Sequence, residues 1–369
     1  MDDSARAAVD RVRSSLEIED PYCQHAFNVH RWIVAWQSEE DAFINLRRHL
    51  NIRKIMPMPP IQDEESIEMN TYAPITILGQ NRPNDNKVVL LEHTGRIDVN
   101  GIVANAKLNP FMRNKFRMME DLHSMVVEQE VKSQRQSGGL LIMDLEGLSF
   151  STSLLSVIAG PYRIVWGTLF EQYPQLIQQI LIVNAPTFVN ILYQTCQPFI
   201  PADYKEKIII SSSTDILKKY ISENCLPMDY GGKLDRITPP VSPIPESEHV
   251  YCTMNTVTIP AGGQVVEKFE WIEGMELEFL LQNSESLTYW IFYSEQDTRD
   301  QKDWAEIYPG CERAALKQID RWKWTVPKTG FYYIRYGNER AWLFSISVET
   351  AILDVKNRHR LIPVETFKL

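Results

Sequence analysis

Between residues 71 and 235 short apolar runs alternate with helical stretches of ten or more residues, and from about residue 257 onward the apolar period falls to two. The first pattern points to parallel strands, because parallel neighbours need a long crossover that is usually helical. The second puts successive side chains on opposite faces of a strand, as antiparallel sheets with one buried face require. Between the two lies YGGKLDRITPPVSPIPESE, a glycine-, proline- and serine-rich linker from about 233 to 248. The fold class is therefore multidomain, α/β plus all-β. Its 369 residues are enough for two or three domains.

In the α/β region strands are expected at 75–78, 88–92, 140–144, 179–183 and 208–211, with helices over 110–132, 151–170, 188–199 and 214–222. Ahead of it, Val29, Trp32, Ile33 and Trp36, then Phe43, Leu46 and Leu50, recur at helical spacing, and Pro57, Pro59 and Pro60 end that segment. The later region reads as strands at 257–259, 265–269, 275–281, 289–293, 322–326, 331–336 and 342–348, a β-sandwich pattern. The domain plan is a helical segment 1–60, an α/β domain 71–235, a β-sandwich 247–350 and a tail 351–369.

A formal charge of −10 argues against a nucleic-acid partner, which needs a concentrated basic surface. Arg47, Arg48, Arg53 and Lys54 form a short basic cluster, read first as a solvated helix face and second as a contact for anionic headgroups. No signal peptide and no run of about 18 apolar residues is evident, so the expected location is cytoplasmic. Five scattered cysteines indicate neither a disulfide framework nor a zinc site, and no metal is expected from the dispersed histidines. Asp144 and Glu146 at a strand end could form a catalytic carboxylate pair, but acids in such turns more often cap backbone, and no nucleophile elbow or phosphate loop accompanies them. No catalytic residue is assigned.

The stretch YPQLIQQILIVNAPTFVNILYQTCQPFIPADYKEKIIISS, from Tyr173 to Ser212, with Leu-Pro-x-x-Tyr-Gly-Gly at 226–232 and Asp-x-x-Gly at 144–147, resembles the CRAL-TRIO lipid-binding domain family, phosphatidylinositol-transfer-protein-like. SEEDAFINLRRHLNIRK, at 38–54, is similar to the helical segment that precedes that domain. VTIPAGGQVVEKFEW and GFYYIRYGNERAWLFSISVE resemble the GOLD sandwich. The resemblance implies an α/β lipid cage that binds a hydrophobic lipid, with no further cofactor and no enzymatic activity. Its gate helix, near 187–200, opens at a membrane.

Phe188, Leu192, Phe199 and Ile200 would then line the gate, and Lys207 keeps a headgroup lysine of the family. Gln175 and Tyr204 stand where phosphatidylinositol-binding members have Glu and Thr, and Trp36 and Gln37 where they have a basic pair. Loss of charge-assisted hydrogen bonds favours a less polar lipid. Gly231 and Gly232 are read as a hinge or a tight turn. The implied partners are the lipid, a transient membrane surface and a protein met through the GOLD-like domain, and the implied function is lipid transfer or presentation. The alternative is a lipid-regulated adaptor in signalling or trafficking.

Overall fold

The structure, a computed structural model, describes residues 1–16, 20–55, 69–81, 85–197, 200, 202–238, 253–315, 318–357 and 359–369. Two compact units divide it. One comprises Met1–Val99, Arg113–Leu155 and Val165–Pro243, the other Asn100–Met112, Ser156–Ile164 and Ile244–Leu369.

The first unit begins with helices α1 (Asp3–Leu16), α2 (Pro21–Gln24), α3 (Ala26–Trp36) and α4 (Glu39–Ile55). Val9, Val12 and Leu16 pack with Val29, Trp32, Leu46 and Leu50 in one buried cluster, so these short helices hold together through shared apolar faces. The prolines expected to end the segment, 57, 59 and 60, lie outside the described residues.

Its sheet runs β1 (Ile75–Gln80), β2 (Lys87–Glu92), β3 (Gly138–Asp144), β4 (Ile177–Val183) and β5 (Ile208–Ile210), in that spatial order. Only the β1–β2 pair is antiparallel. Val89, Leu91, Leu140, Ile142, Leu181 and Val183 point to one face, where Leu217, Ile221, Leu226 and Tyr230 cover them. The strands are apolar on both faces, since Val88, Leu90, Leu141 and Ile180 are buried as well, as expected of a parallel sheet.

The connecting helices are α5 (Val99–Asn105), α6 (Leu108–Ser133), α7 (Thr152–Val157), α8 (Arg163–Gln172), α9 (Val189–Cys196), α10 (Ala202–Lys205) and α11 (Leu217–Tyr220). A π-turn, Ile158–Tyr162, joins α7 to α8, with Gly160 non-helical ahead of Pro161. The joined run Thr152–Gln172 has the length and composition of a bilayer span, 21 residues at mean hydropathy 1.2. This corrects the expectation that the chain has no such run. The same measure is met by core helices of soluble proteins.

The second unit is all-β in its C-terminal part. One antiparallel sheet has the order β10 (Ala305–Arg313), β9 (Leu287–Ser294), β12 (Gly330–Gly337), β7 (Gln264–Trp271), β15 (Glu365–Lys368). The other runs β11 (Asp320–Thr325), β8 (Glu276–Asn283), β13 (Ile346–Asp354), β14 (His359–Arg360), and β6 (Asn255–Ile259) also pairs with β13. Aromatic rings fill the space between the sheets: Trp271 meets Phe279 and Trp324 edge-on at 6.0 Å each, and Tyr289 meets Trp322 at 5.9 Å. A buried Arg313–Asp320 ion pair lies beside them, its guanidinium 5.4 Å from the Tyr289 ring and 5.2 Å from the Trp322 ring.

Segments far upstream complete this unit. Asn109 donates through its backbone and side-chain nitrogens to Asp320 at 3.1 and 3.0 Å, Gln318 donates to the Ala104 carbonyl at 2.8 Å, and Arg163 pairs with Glu312 at 2.6 Å.

Three strand readings need correction. β10 went unseen because its register shifts twice, around Tyr308 and before Cys311, which destroys the alternation. Residues 351–369, read as a tail, hold the end of β13 and all of β14 and β15. The strand expected at 342–348 starts only at Ile346, and Trp342, Leu343 and Phe344 stand in a loop at 86, 66 and 77% exposure.

Candidate functional site

The polar positions singled out in the sequence come together at the N-terminal end of β4 and β5. Gln175 lies in the turn before β4 with φ +56°, a left-handed conformation. Lys207 immediately precedes β5, fixed there because its carbonyl accepts from the Ile180 amide at 2.9 Å and from Gln179 Nε2 at 2.8 Å. Its Nζ donates to Gln175 Oε1 at 2.8 Å and lies 4.4 Å from the Tyr204 ring. Tyr204 is buried, its ring tilted 33° against Phe170 at 4.3 Å, and Phe170 in turn meets Trp166 one helical turn earlier. The result is an ammonium held between an amide oxygen and an aromatic face.

The crossover from β4 to β5 carries the gate residues. Leu192 is buried on α9 and Phe188 is half-buried at its start, 5.6 Å from Phe150 in an edge-to-face contact. Ile191, one residue before Leu192, is 63% exposed, and Phe150 is 57% exposed. Ile200 is half-buried, and Phe199 lies outside the described residues. This crossover leaves the C-terminal end of β4 and returns at Tyr204 and Lys207. It therefore runs the length of the sheet from one end to the other.

At the C-terminal end three sequence motifs form one knot. Asp144 accepts from the Glu146 amide at 3.0 Å, from Asn184 Nδ2 at 2.8 Å and from the Tyr230 hydroxyl at 2.6 Å. Burial, reinforced by the bond to Asp144, raises the Tyr230 pKa far above the usual tyrosine range. Gly231 follows at φ +75°, and a Cβ on Gly232 would come within 1.9 Å of the Leu226 carbonyl oxygen. Asp144 thus ties β3, β4 and the glycine turn together, with the geometry of a structural clasp.

A second buried polar group joins the N-terminal helices to the sheet unit. Arg31 pairs with Glu130 and donates to the Ser137 carbonyl at 2.9 Å, while Arg53 pairs with Glu120, which also accepts from Tyr173 at 2.6 Å. Arg53 was grouped in the sequence with a solvated basic face, whereas here it is half-buried and paired. Arg48 meets Glu171 at 2.9 Å. His49 Nδ1 donates to Gln172 Oε1 at 3.2 Å, and burial lowers its pKa to about 3. Burial likewise depresses His123, which lies 2.9 Å from Asn28.

Sequence reasoning missed Phe170 and Phe150. Phe170 carries one signal, its i, i+4 spacing from Trp166 just ahead of the Tyr-Pro turn; Phe150 carries none, because its partner is 38 residues away. Among the described residues no group of three His, Cys, Asp or Glu side chains is placed to hold a metal.

Residues 72–232 match the family model of the CRAL/TRIO domain. This segment is similar to the CRAL-TRIO domain family. A second model, the F28H7_8_C-like C-terminal domain, matches residues 240–361, so the C-terminal expectation stands as an antiparallel all-β region and not specifically as GOLD. The chain is similar to the CRAL-TRIO domain-containing protein F28H7.8 of Caenorhabditis elegans, 26% identical over 97% of this chain and 92% of that one. The CRAL-TRIO domain-containing protein C34C12.6 of the same organism is 22% identical over 64% of each chain. Among solved structures, Sfh5 aligns with 63% of this chain and 88% of its own at 17% identity and a TM-score of 0.47.

Proposed function

We propose that this chain is a non-enzymatic carrier that encloses one hydrophobic lipid in its CRAL-TRIO domain and transfers or presents it at intracellular membranes. The observation that carries the reading is the convergence of Gln175 with Tyr204 and Lys207, whose turn lies 32 residues further on, on one polar spot at the edge of an apolar sheet. A lipid gains about 0.8 kcal/mol for each methylene taken out of water, whereas its polar end must keep hydrogen bonds. Lys207 and Gln175 offer that end a donor and an amide. With Gln175 in place of a carboxylate, a neutral or weakly polar lipid such as a sterol or tocopherol is favoured over a phosphoinositide, with other phospholipids between them.

The β unit, which has a family model of its own, motivates a second reading: an adaptor of GOLD-like architecture whose protein contacts depend on lipid occupancy. In both readings the protein works in the cytoplasm as a peripheral membrane component.

Native mass spectrometry of the full chain, with identification of extracted lipid, is the test. A stoichiometric lipid whose occupancy falls in Lys207→Ala supports the carrier. A protein that takes up no phospholipid, sterol or tocopherol from mixed vesicles overturns it. Transfer between vesicles separates carrier from adaptor, because the adaptor reading requires occupancy without transfer.

A further inference from the structure

The loop between β12 and β13 presents three consecutive large apolar side chains to solvent: Trp342, Leu343 and Phe344. Its base is tightly built. Asn338 is buried and donates through Nδ2 to the Phe344 carbonyl at 3.0 Å and the Pro260 carbonyl at 3.3 Å. Its backbone exchanges bonds with the 262–263 turn, the Gly262 amide donating to Asn338 at 3.1 Å and the Asn338 amide donating to Gly263 at 2.9 Å. A buried polar anchor therefore fixes the shape of an apolar tip that stays largely exposed among the described residues. Leu369 extends the apolar surface at this end of the sandwich, where its amide donates to the Gln264 carbonyl at 3.1 Å and the residue is 42% exposed.

We propose that this loop is a wedge that inserts into the interfacial layer of an electrically neutral lipid bilayer. Size argues for a membrane over a protein. Two aromatic side chains and a leucine together offer roughly 500 Å², short of the roughly 800 Å² per partner of a stable protein interface. A convex tip does better in a medium that closes around it. Trp342 suits that depth, since an indole combines an apolar body with one polar N–H and collects at membrane–water boundaries.

Charge selects the bilayer type. Arg340, Lys368 and Arg163 at this end are offset by Glu339, Glu285 and Glu312, three of each sign. Arg340 is paired with Glu312 at 2.7 Å, and the Glu339 carboxylate accepts from Thr288 at 2.7 Å. Anionic headgroups are not needed, and binding should resist salt.

The inference uses the carrier reading only in that a lipid carrier must meet a bilayer. Sedimentation of the full chain with phosphatidylcholine vesicles tests it, comparing the natural chain with Trp342→Ala/Phe344→Ala, a pair of exposed positions whose change spares the core. Vesicle partitioning should drop about tenfold or more in the double variant and barely change with salt, because burying even one aromatic side chain is worth at least that factor. Brominated lipid should quench tryptophan emission of the natural chain more than that of Trp342→Ala.

Equal partitioning of both proteins, or no binding by the natural chain, overturns the wedge. So does a natural chain that elutes as a dimer and becomes monomeric on substitution, which would assign the tip to a second copy. Lipid occupancy by native mass spectrometry should be the same in both proteins. If the natural chain binds vesicles through the loop yet carries no lipid, the carrier reading fails and the wedge stands.

Discussion

Asp144 is a single carboxylate that organises three segments, and each of its partners can be removed separately. Tyr230→Phe deletes one hydroxyl and leaves a buried carboxylate one donor short, which should lower stability by about 1.5–3 kcal/mol in urea unfolding. Its loss should act on folding, because the clasp stands at the opposite end of the strands from Lys207. The buried histidines give a second residue-level expectation. His49 is held neutral, with its folded pKa near 3 against an ordinary value of 6.5. The unfolded chain therefore binds more protons than the folded one below pH 6.5. Stability should be flat with respect to this group above that pH and fall by about 1.4 kcal/mol per pH unit as pH drops toward 3. His123 is depressed in the same direction and adds to the slope. Denaturant midpoints between pH 7 and 4 measure it. His49→Gln should make the fall shallower, and an unchanged slope would show that other groups govern acid unfolding.

At the scale of elements, α9 divides its apolar residues between inside and outside: Val189 and Leu192 are buried, while Ile191 between them is 63% exposed. Ile191→Asp should leave folding within about 0.5 kcal/mol of the natural chain, as for most surface changes. Under the carrier reading it should slow transfer between vesicles several-fold by placing a charge where the helix meets lipid. Transfer at the natural rate would mean that α9 does not touch the bilayer. The α/β elements were readable because apolar strands such as 140–144 and helices such as 110–132 stand out by period alone. β10 was not, since two bulges scramble its alternation. The 342–348 segment shows the opposite failure. Trp342, Phe344, Ile346 and Val348 alternate as in a buried strand, yet only Ile346 and Val348 are buried, because the pattern records residue type and not the sheet's edge. The polar spot at Lys207 was reachable only through resemblance, as nothing local links Gln175 to the turn that holds Tyr204 and Lys207. The Arg31–Glu130 and Arg53–Glu120 pairs were hidden for the same reason, their partners lying 99 and 67 residues apart.

For the whole molecule, the division of the chain into units departs from its order in sequence. Residues 100–112 and 156–164 fall inside the segment matched as CRAL-TRIO, yet they belong to the compact unit built on the C-terminal strands. Asp320 in that unit accepts from both nitrogens of Asn109, and Tyr308 donates to the Asn109 carboxamide oxygen. A fragment of residues 253–369 would retain every β-strand of the sandwich but lose Asn109, Ala104 and Arg163. Hydrogen bonds to a charged partner contribute about 1.5–3 kcal/mol each. Two such bonds to Asp320 alone then amount to roughly 3–6 kcal/mol, against a total stability of about 5–15 kcal/mol for a domain. The isolated fragment should accordingly unfold at a markedly lower denaturant concentration than the β unit does in the full chain, as followed by near-ultraviolet dichroism of its tryptophans. Asn109→Ala in the full chain should reproduce part of that loss. A fragment as stable as the intact unit would mean that the upstream segments merely rest on a self-sufficient sandwich. A destabilised fragment would mean that the C-terminal strands need these upstream segments, so that the β unit does not reach full stability when the chain is cut at its linker.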